Sequence, residues 1–387
     1  MTEKQLHQAC GATENRYRGF VMNIRDTNVL KVINEVKKVV IGKDAVIEKM
    51  MAAILVQGHV LIDDIPGVGK TTMALAFAKA MDLEQKRLQF TPDVLPSDVT
   101  GYFMYQQKEG KSTYIKGPIM SELFLADEIN RTSPKTQSAL LEVMEERRVT
   151  LDGVTMEVPK PFIVMATQNP SGSSGTQPLP DSQADRFMIC LHMGYPNEAD
   201  EMQILMKRMG RQPLDEVQTV MGKEELLAIQ EQLADIHISE SVYRYLLQLV
   251  NQTREHEMVK LGISPRGSLA LARMAQGMAF LAGRAYVIPE DVKAVFPDVA
   301  IHRILLNAKA RVNQVTVEDV LKEIMTKTEL PKAWNAELPK ETREERKEGT
   351  GKEKKEHMPK ENTFSEQADK EKQGSSRFGR KYLKGKL

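Results

Sequence analysis

Between residues 29 and about 205, short runs of apolar residues alternate with segments whose apolar positions recur at helical spacing. Five of these runs have the length of a strand: Val60 to Asp63, Arg87 to Phe90, Leu123 to Asp127, Phe162 to Thr167 and Phe187 to Met193. Strands that are nearly all apolar and are separated by helices are typical of a parallel sheet covered on both faces. We therefore expect an α/β domain in which helices sandwich a parallel sheet.

From about residue 206 to 330 the apolar spacing is purely helical. One face of a predicted helix is formed by Val242, Tyr245, Leu246, Leu249 and Val250. Thr316 and Asp319 have the spacing of an N-terminal cap before another helix. These features predict a smaller, all-helical second domain.

The two ends of the chain are polar. Residues 1–28 show no regular pattern, and residues 331–387 are rich in Lys, Glu, Gly, Ser and Asn. A segment with so few apolar residues cannot bury enough surface to offset the entropy lost on ordering. The sequence therefore predicts a polar N-terminal segment and a disordered, charged C-terminal tail.

The composition restricts the classes of function. With 387 residues and 41% hydrophobic residues, the chain is long enough for two ordered domains. A formal net charge of +1 provides no general attraction to nucleic acid or anionic membranes. Cys10 and Cys190 form no C-x-x-C pair, so neither a disulfide framework nor a zinc site is indicated. The chain shows no secretion signal and no membrane-spanning run, so a cytoplasmic protein is expected.

The segment His59-Val-Leu-Ile-Asp-Asp-Ile-Pro-Gly-Val-Gly-Lys-Thr-Thr72 predicts a buried strand, a glycine-containing loop and the start of a helix. Gly67 and Gly69 allow backbone N–H groups to approach phosphate oxygens, and the helix presents its positive end to the anion. Lys70 would reach the β and γ phosphates, and the Thr71 hydroxyl would ligate Mg²⁺. We expect a nucleoside triphosphate site; the alternative is a glycine-rich turn with an ordinary surface lysine.

A second motif, Leu123-Phe-Leu-Ala-Asp-Glu-Ile-Asn130, is an apolar strand that ends in two adjacent acids. Asp127 would hold Mg²⁺, and Glu128 would polarise the water that attacks the γ-phosphate. The alternative is an acidic strand end that leads into the cap of the helix begun by Ser133-Pro134. At the end of a further core strand, Asn169 could orient the attacking water.

These motifs, together with several further stretches, resemble those of an AAA+ ATPase of the MoxR family. The resemblance covers about residues 30 to 330. The matching stretches, in the family's order, are Phe90-Thr-Pro-Asp-Val-Leu-Pro-Ser-Asp98, Gly117-Pro-Ile119, Ala126-Asp-Glu-Ile-Asn-Arg131, Ala166-Thr-Gln-Asn-Pro170, Pro178-Leu-Pro180, Asp185-Arg-Phe187, Gly194-Tyr-Pro196, Ser264-Pro-Arg266 and Pro289-Glu-Asp-Val292. Agreement at so many separate motifs makes chance similarity a poor explanation.

The resemblance implies a role for each matching residue. Lys70 and Thr71 would be Walker A, Asp127 and Glu128 Walker B, Asn169 sensor 1, Arg186 the arginine finger and Arg266 sensor 2. Residues implied to bind the nucleotide are Val40, Ile41, Gly42, Pro66, Gly67, Val68, Gly69, Lys70, Thr71 and Thr72. The chain would use ATP and Mg²⁺ and assemble with itself into a ring, as a hexamer. Arg186 would act on a neighbour's γ-phosphate, and Arg266 would make the position of the helical domain depend on the nucleotide.

Two positions depart from the pattern. Asp64 stands where the strict G-x-x-x-x-G-K-[ST] spacing has its first glycine, and Lys43 stands where the family often has glutamine. These departures affect the fine nucleotide contacts more than the class. A hairpin is predicted at Leu151-Asp-Gly-Val154. Family members carry a hairpin there that projects from the ring and can touch substrate; a simple connector is the alternative.

Three functions follow from this reading. The first, implied by the resemblance, is a chaperone-like ATPase that remodels or activates partner proteins, such as those with a von Willebrand factor A domain, and aids metal or cofactor insertion. The second is a nucleic-acid-stimulated motor, suggested by the hairpin and by the basic end Arg377–Leu387. The third is a nucleotide-gated scaffold with negligible turnover, which Asp64 leaves open. The near-neutral charge and the absence of a nucleic-acid module in the sequence favour the first.

Overall fold

The computed structural model of the protein describes residues 27–107, 110–169, 179–208 and 213–331. Outside the described residues lie the predicted polar N-terminal segment (apart from its last two residues), Cys10, the motif residues Pro170 and Pro178, and the tail beyond residue 331, including its basic end, for which disorder remains a prediction. None of the described helices is both long and apolar enough to cross a membrane.

The described chain alternates helices and strands. The helices are α1 (Val29–Val39), α2 (Asp44–Leu55), α3 (Lys70–Ala80), α4 (Pro96–Thr100), α5 (Pro134–Glu146), α6 (Asp181–Ala184), α7 (Glu198–Arg208), α8 (Lys223–Leu233), α9 (Glu240–Glu255), α10 (Pro265–Leu281), α11 (Pro289–Ala300), α12 (Ala308–Val312) and α13 (Val317–Lys327). The strands are β1 (Val60–Asp63), β2 (Gln85–Gln89), β3 (Gly101–Gln106), β4 (Lys111–Lys116), β5 (Leu123–Asp127), β6 (Arg148–Leu151), β7 (Val154–Glu157), β8 (Ile163–Gln168), β9 (Ile189–Leu191), β10 (Val259–Leu261) and β11 (Leu305–Leu306). Single 3₁₀ turns cover Ile129–Arg131 and Pro213–Glu216.

The centre of the fold is a five-stranded sheet with the order β2-β5-β8-β1-β9, in which every pair of neighbouring strands is parallel. The expected strands are all present, with β1 and β5 at their predicted bounds and the others shifted at their ends. Alternate residues of β1 pack into two separate cores: Val60 and Ile62 face one, and Leu61 faces the other. The sheet is therefore covered on both sides, and the expected α/β fold is confirmed.

The helical elements that follow α7 pack directly against the α/β layers. Gly277 in α10 shows how closely: a Cβ at this position would lie 3.0 Å from the carbonyl oxygen of Ala52 in α2. Thr316 and Asp319 form the expected capping box at the start of α13. The prediction of a purely helical region is wrong in one detail, because Val259–Leu261 and Leu305–Leu306 form a short antiparallel pair. Strands of two and three residues are too short to produce an alternating hydrophobic pattern.

Two hairpins extend from the α/β layers. The predicted one, β6–β7, turns through Asp152 and Gly153, whose φ angles of 51° and 79° match a turn with positive φ at both central residues. The second, β3–β4, was not predicted from the sequence. Its side chains are mostly exposed, so the stretch lacks the apolar face by which strands are usually recognised.

Candidate active site

The loop between β1 and α3 leaves open space where the phosphates were expected. Gly67 and Gly69 have φ angles of 86° and 97°, in the region that favours glycine. A Cβ added at Gly67 would meet nothing within 4 Å, and one at Gly69 would meet only the methyl group of Met193 at 4.0 Å. Backbone conformation therefore explains the two glycines, and no other part of the described protein fills the space in front of them.

Helix α3 begins at Lys70 with no side-chain cap and no acidic residue in its first turn. Its first N–H groups therefore remain available to an anion. The Lys70 ammonium is buried and lies 2.5 Å from the Asp64 carbonyl oxygen, 3.2 Å from that of Gln168 and 3.2 Å from Oδ1 of Asn169. Burial lowers the pKa of Lys70, and the carboxylates of Asp64 and Asp127 oppose that shift. The hydrogen-bond partners that hold Lys70 at the phosphate loop are thus all oxygen atoms.

The Asp64 departure has a structural explanation. Its buried carboxylate accepts hydrogen bonds from the backbone N–H groups of Ile65 (2.8 Å), Gly194 (2.6 Å) and Met193. The side chain thus joins the phosphate loop to the segment that leaves β9. Lys43, the other departure, reaches the same segment, because its Nζ lies 2.9 Å from the Tyr195 carbonyl oxygen.

A cavity of about 250 Å³ adjoins the phosphate loop. Its lining includes Val40 and Ile41, which the resemblance implies bind the nucleotide, together with loop residues Pro66 to Gly69 and Thr72. Gly42 has a φ of 73°, and a Cβ there would lie 1.9 Å from the Asp200 carboxylate. The structure thus brings the segment Val40 to Gly42 and the phosphate loop together. Tyr195 also lines this cavity, a role that the sequence had not assigned to its motif.

Walker B residues lie at the carboxyl end of β5, beside the phosphate loop. Asp127 accepts hydrogen bonds from Arg87 (2.7 Å) and from the Thr167 hydroxyl (2.5 Å). Glu128 has a left-handed backbone, with a φ of 57°, which turns its side chain out of the strand direction. The Ser133 cap and Pro134 at the start of α5 are also present, so the strand end leads into a capped helix as well.

The Glu128 carboxylate has three partners. Arg131 lies 2.7 Å and Gln89 3.1 Å from its Oε2, and Asn169 donates to Oε1 at 2.9 Å. The hydrogen bond from Arg131 is the largest cause that holds the pKa of Glu128 below its ordinary value. Asn169 contacts Lys70 through one amide atom and Glu128 through the other. Lys70, Glu128 and Asn169, from three separate elements, therefore form one hydrogen-bonded group.

The two arginines lie elsewhere. Arg186 lies three residues before the start of β9, and β9 runs parallel to β1. Arg186 is therefore at the amino edge of the sheet, while the phosphate loop is at the carboxyl edge. Its Nη1 is 2.9 Å from Oε2 of Glu145, near the end of α5. Arg266, in the first turn of α10, donates to Oε1 of the same carboxylate. The structure thus brings the arginines together but keeps both away from the chain's own phosphate loop.

Several of these neighbours were missed by sequence reasoning. Gln89, Arg131 and Thr167 contact the Walker B acids, and Glu145 anchors both arginines. Arg131 and Thr167 lie inside motifs that had been recognised, so position in those motifs could have suggested them. Glu145 and Gln89 carry no such signal, because polar residues on a helix or strand end usually face solvent.

Comparison with known proteins agrees with this geometry. The profile of the ATPase family associated with various cellular activities (AAA) matches residues 59–189, and that of the AAA lid domain matches residues 251–324. The chain is 39% identical to Chaperone MoxR1 of Mycobacterium tuberculosis, over 78% of this chain and 82% of that protein. It is 45% identical to the uncharacterised protein YeaC of Bacillus subtilis, over 78% of this chain and 94% of that protein.

A solved structure gives the same result. The crystal structure of a protein from Cytophaga hutchinsonii, classed as an ATPase, superposes with a TM-score of 0.72 at 37% identity, and the match covers 84% of this chain and 99% of that one. The phosphate loop, the acids at the end of β5, the helical lid and these likenesses agree, so the family suggested by the sequence motifs is confirmed. The chain belongs to the MoxR family of AAA+ ATPases.

Proposed function

We propose that the protein is a chaperone-like ATPase that uses ATP hydrolysis to remodel or activate partner proteins. The observation that carries the hydrolytic part is the group formed by Lys70, Glu128 and Asn169 beside an open phosphate loop. Asn169, which can orient a water, contacts both Lys70, which can bind a phosphate, and Glu128, which can polarise the water. That is the set of functions that γ-phosphate hydrolysis requires.

In this proposal the glycine loop and the N-terminus of α3 bind the phosphates, and Val40, Ile41 and Gly42 border the base. Lys70 exchanges its present oxygen partners for phosphate oxygens. Asn169 holds the attacking water, and Glu128 accepts its proton. Because three donors stabilise the Glu128 carboxylate, the side chain stays ionised at neutral pH, and losing one donor would make it a stronger base.

The residues also suit Mg²⁺. The Thr71 hydroxyl and the Asp127 carboxylate are hard oxygen ligands of the kind that this ion prefers, and Asp127 lies close enough to Lys70 to affect its pKa. When bound, the ion would neutralise charge on the β and γ phosphates. Thr167 and Arg87 keep the Asp127 carboxylate oriented.

The location of Arg186 and Arg266 favours assembly. Both lie at the edge of the sheet opposite the chain's own phosphate loop. Each is therefore better placed to act on a nucleotide held by a second copy than on one held by its own chain. In a closed ring, such as a hexamer, every subunit would supply arginines to one neighbour and receive them from the other. Arg266 sits on α10 of the lid, so such a contact would make lid position depend on the nucleotide.

The clients are proposed to be proteins, with those that carry a von Willebrand factor A domain as candidates, and the remodelling is proposed to aid metal or cofactor insertion. The projecting β6–β7 hairpin is a candidate contact surface. The test is a pull-down from native cells with Glu128→Gln and ATP, which should hold the assembled, client-bound state. Recovery of one or two specific proteins, lost when Lys70→Ala is added, is expected. Recovery mainly of DNA or RNA would instead favour the nucleic-acid motor.

A further inference from the structure

Arg186 and Arg266 share one anchor. Arg186 binds Oε2 of Glu145, and Arg266 binds Oε1, so a single carboxylate holds two guanidinium groups side by side. The three residues come from separate elements: the end of α5, the segment before β9 and the first turn of α10. All three side chains are between about a third and a half exposed, at 31%, 44% and 38% for Arg186, Arg266 and Glu145.

The surroundings of this trio are strongly cationic. They form a cavity of about 290 Å³ whose lining contains five arginines, called here the arginine cluster: Arg147, Arg186, Arg266, Arg273 and Arg303. Glu145 and Asp185 are the carboxylates of the same lining. Asp185 is already used, because it binds Arg303 at 2.7 Å and accepts from the Ser264 hydroxyl at 2.8 Å. Glu145 therefore opposes the mutual repulsion of Arg186 and Arg266.

Arg186 and Arg266 have N–H donors beyond those that bind Glu145. Arg186 Nη1 binds Glu145 and the Leu141 carbonyl oxygen, at 2.7 Å, while its buried Nε has no partner among the described residues. A guanidinium has five N–H donors, so several remain for a further anion. The two oxygens of a carboxylate are spaced much like two oxygens of a phosphate. Glu145 thus holds the guanidiniums at a separation that suits a phosphate group.

We infer that Glu145 is a positioning residue for ATP hydrolysis, which keeps Arg186 and Arg266 paired so that they meet a neighbouring subunit's γ-phosphate together. This inference rests on the proposed role of the two arginines in a neighbour's site. Without Glu145, repulsion separates the two cations, and each must be brought back against that repulsion during the reaction. Asp185 still joins the lid to the sheet domain through Ser264 and Arg303, so the fold does not depend on Glu145.

The test uses Glu145→Gln in the full-length chain, with ATP turnover measured over a range of ATP and protein concentrations. We expect kcat to fall by about 10- to 100-fold, the scale of a misplaced catalytic group, with the KM for ATP, nucleotide affinity and thermal midpoint unchanged. Glu145→Asp, which keeps the charge, should retain an intermediate kcat. Glu142→Gln is the matched control, because Glu142 lies on the same helix, is exposed and has no ion pair within the described ranges; it should behave as wild type.

Arginine variants separate this inference from the role on which it rests. Arg186→Ala with Arg266→Ala should lower turnover further than Glu145→Gln does. Adding Glu145→Gln should leave the residual turnover of that variant unchanged, because Glu145 acts through these arginines. If the arginine variants lose turnover but Glu145→Gln keeps the wild-type kcat, the Glu145 inference alone is wrong. If the arginine variants remain fully active, both are wrong. A Glu145→Gln loss that appears in the KM rather than kcat also overturns the inference.

Discussion

The two edges of the parallel sheet differ in how far their charged side chains are paired within the chain. At the carboxyl edge, Lys70 is satisfied by three oxygens and Glu128 by three donors, so these two charged groups are matched within the chain. At the amino edge, the five arginines of the cluster face two carboxylates, and the excess is positive. The first edge has space for an anion, and the second has more cations than carboxylates among the described residues. Under the proposed function, the two edges are half-sites that contact between subunits would join.

The largest expected effect tests whether the halves belong to different subunits. Arg186→Ala should retain nucleotide binding and lose about 10³- to 10⁵-fold in turnover, the range known for arginine fingers. Mixing it with an equal amount of Lys70→Ala should restore turnover. At some interfaces in the mixture, the Lys70→Ala copy would supply its intact Arg186 to the intact phosphate loop of the Arg186→Ala copy. Such an interface would contain both functional groups.

The measurement is turnover per subunit in the mixture, compared with that of each variant alone. Restored turnover would mean that residues of two chains act on one nucleotide. A mixture as inactive as its components, at concentrations where wild type is assembled, would contradict the division between the two edges. As a control, Arg244→Ala on the exposed face of α9, whose ion pair among the described residues is with Glu240 alone, should have no effect.

The next effect concerns the carboxyl edge alone. Glu128→Gln keeps the shape of the side chain but cannot accept the proton, so turnover should fall by about 10²- to 10⁴-fold with ATP affinity retained. Lys70→Ala should weaken binding itself. A fluorescent ATP analogue gives the affinities, and phosphate release gives the turnover. Retained turnover in Glu128→Gln would remove Glu128 from the role of base.

A smaller effect is expected at Asp64. Asp64→Gly restores the glycine of the strict loop pattern, yet the N–H groups of Ile65, Met193 and Gly194 lose their acceptor. We expect a loss of about 2–4 kcal/mol in the free energy of unfolding and weaker ATP binding. Asp93→Gly, at an exposed position with no hydrogen bond among the described residues, is the control. Tighter ATP binding at unchanged stability would contradict the structural role of Asp64.

The smallest effect is a pH dependence at the amino edge. His59 is buried between the Met144 carbonyl oxygen and the Val164 N–H, and burial lowers its pKa from 6.5 to about 4. Between those values the unfolded state binds more protons, so stability is present above pH 6.5 and is lost as pH falls towards 4. From pH 7 to 5 the loss should be about 2 kcal/mol.

Denaturant unfolding at both pH values in wild type and His59→Gln isolates this contribution. His302, whose pKa is lowered in the same direction, is present in both proteins and cancels in the difference. His59→Gln should therefore lose less stability on acidification than wild type. An equal loss in the two proteins would mean that His59 does not titrate in this window.

Sequence reasoning succeeded where a short stretch carries its own physical constraint. The strands β1 and β5, the Leu151–Val154 turn and the Thr316 cap each depend on a few consecutive residues, and each appears as expected. It failed at β3–β4 and at β10–β11, because exposed or very short strands leave no hydrophobic pattern. The placement of Arg266 beside Arg186 could not be predicted, since it depends on how α10 packs against the sheet layers.

The sequence by itself determined the class of this protein: a phosphate loop that only glycine can form, an acidic strand end, a parallel sheet and a helical lid. Local residue order is enough for those features because backbone conformation and hydrophobic spacing act over a few residues. Tertiary structure alone decided the rest. It made Asp64 an acceptor for three backbone N–H groups and brought Asn169 between Lys70 and Glu128. It also gathered the arginines on Glu145, because contacts between residues more than 100 positions apart, such as Glu145 and Arg266, exist only once the elements pack.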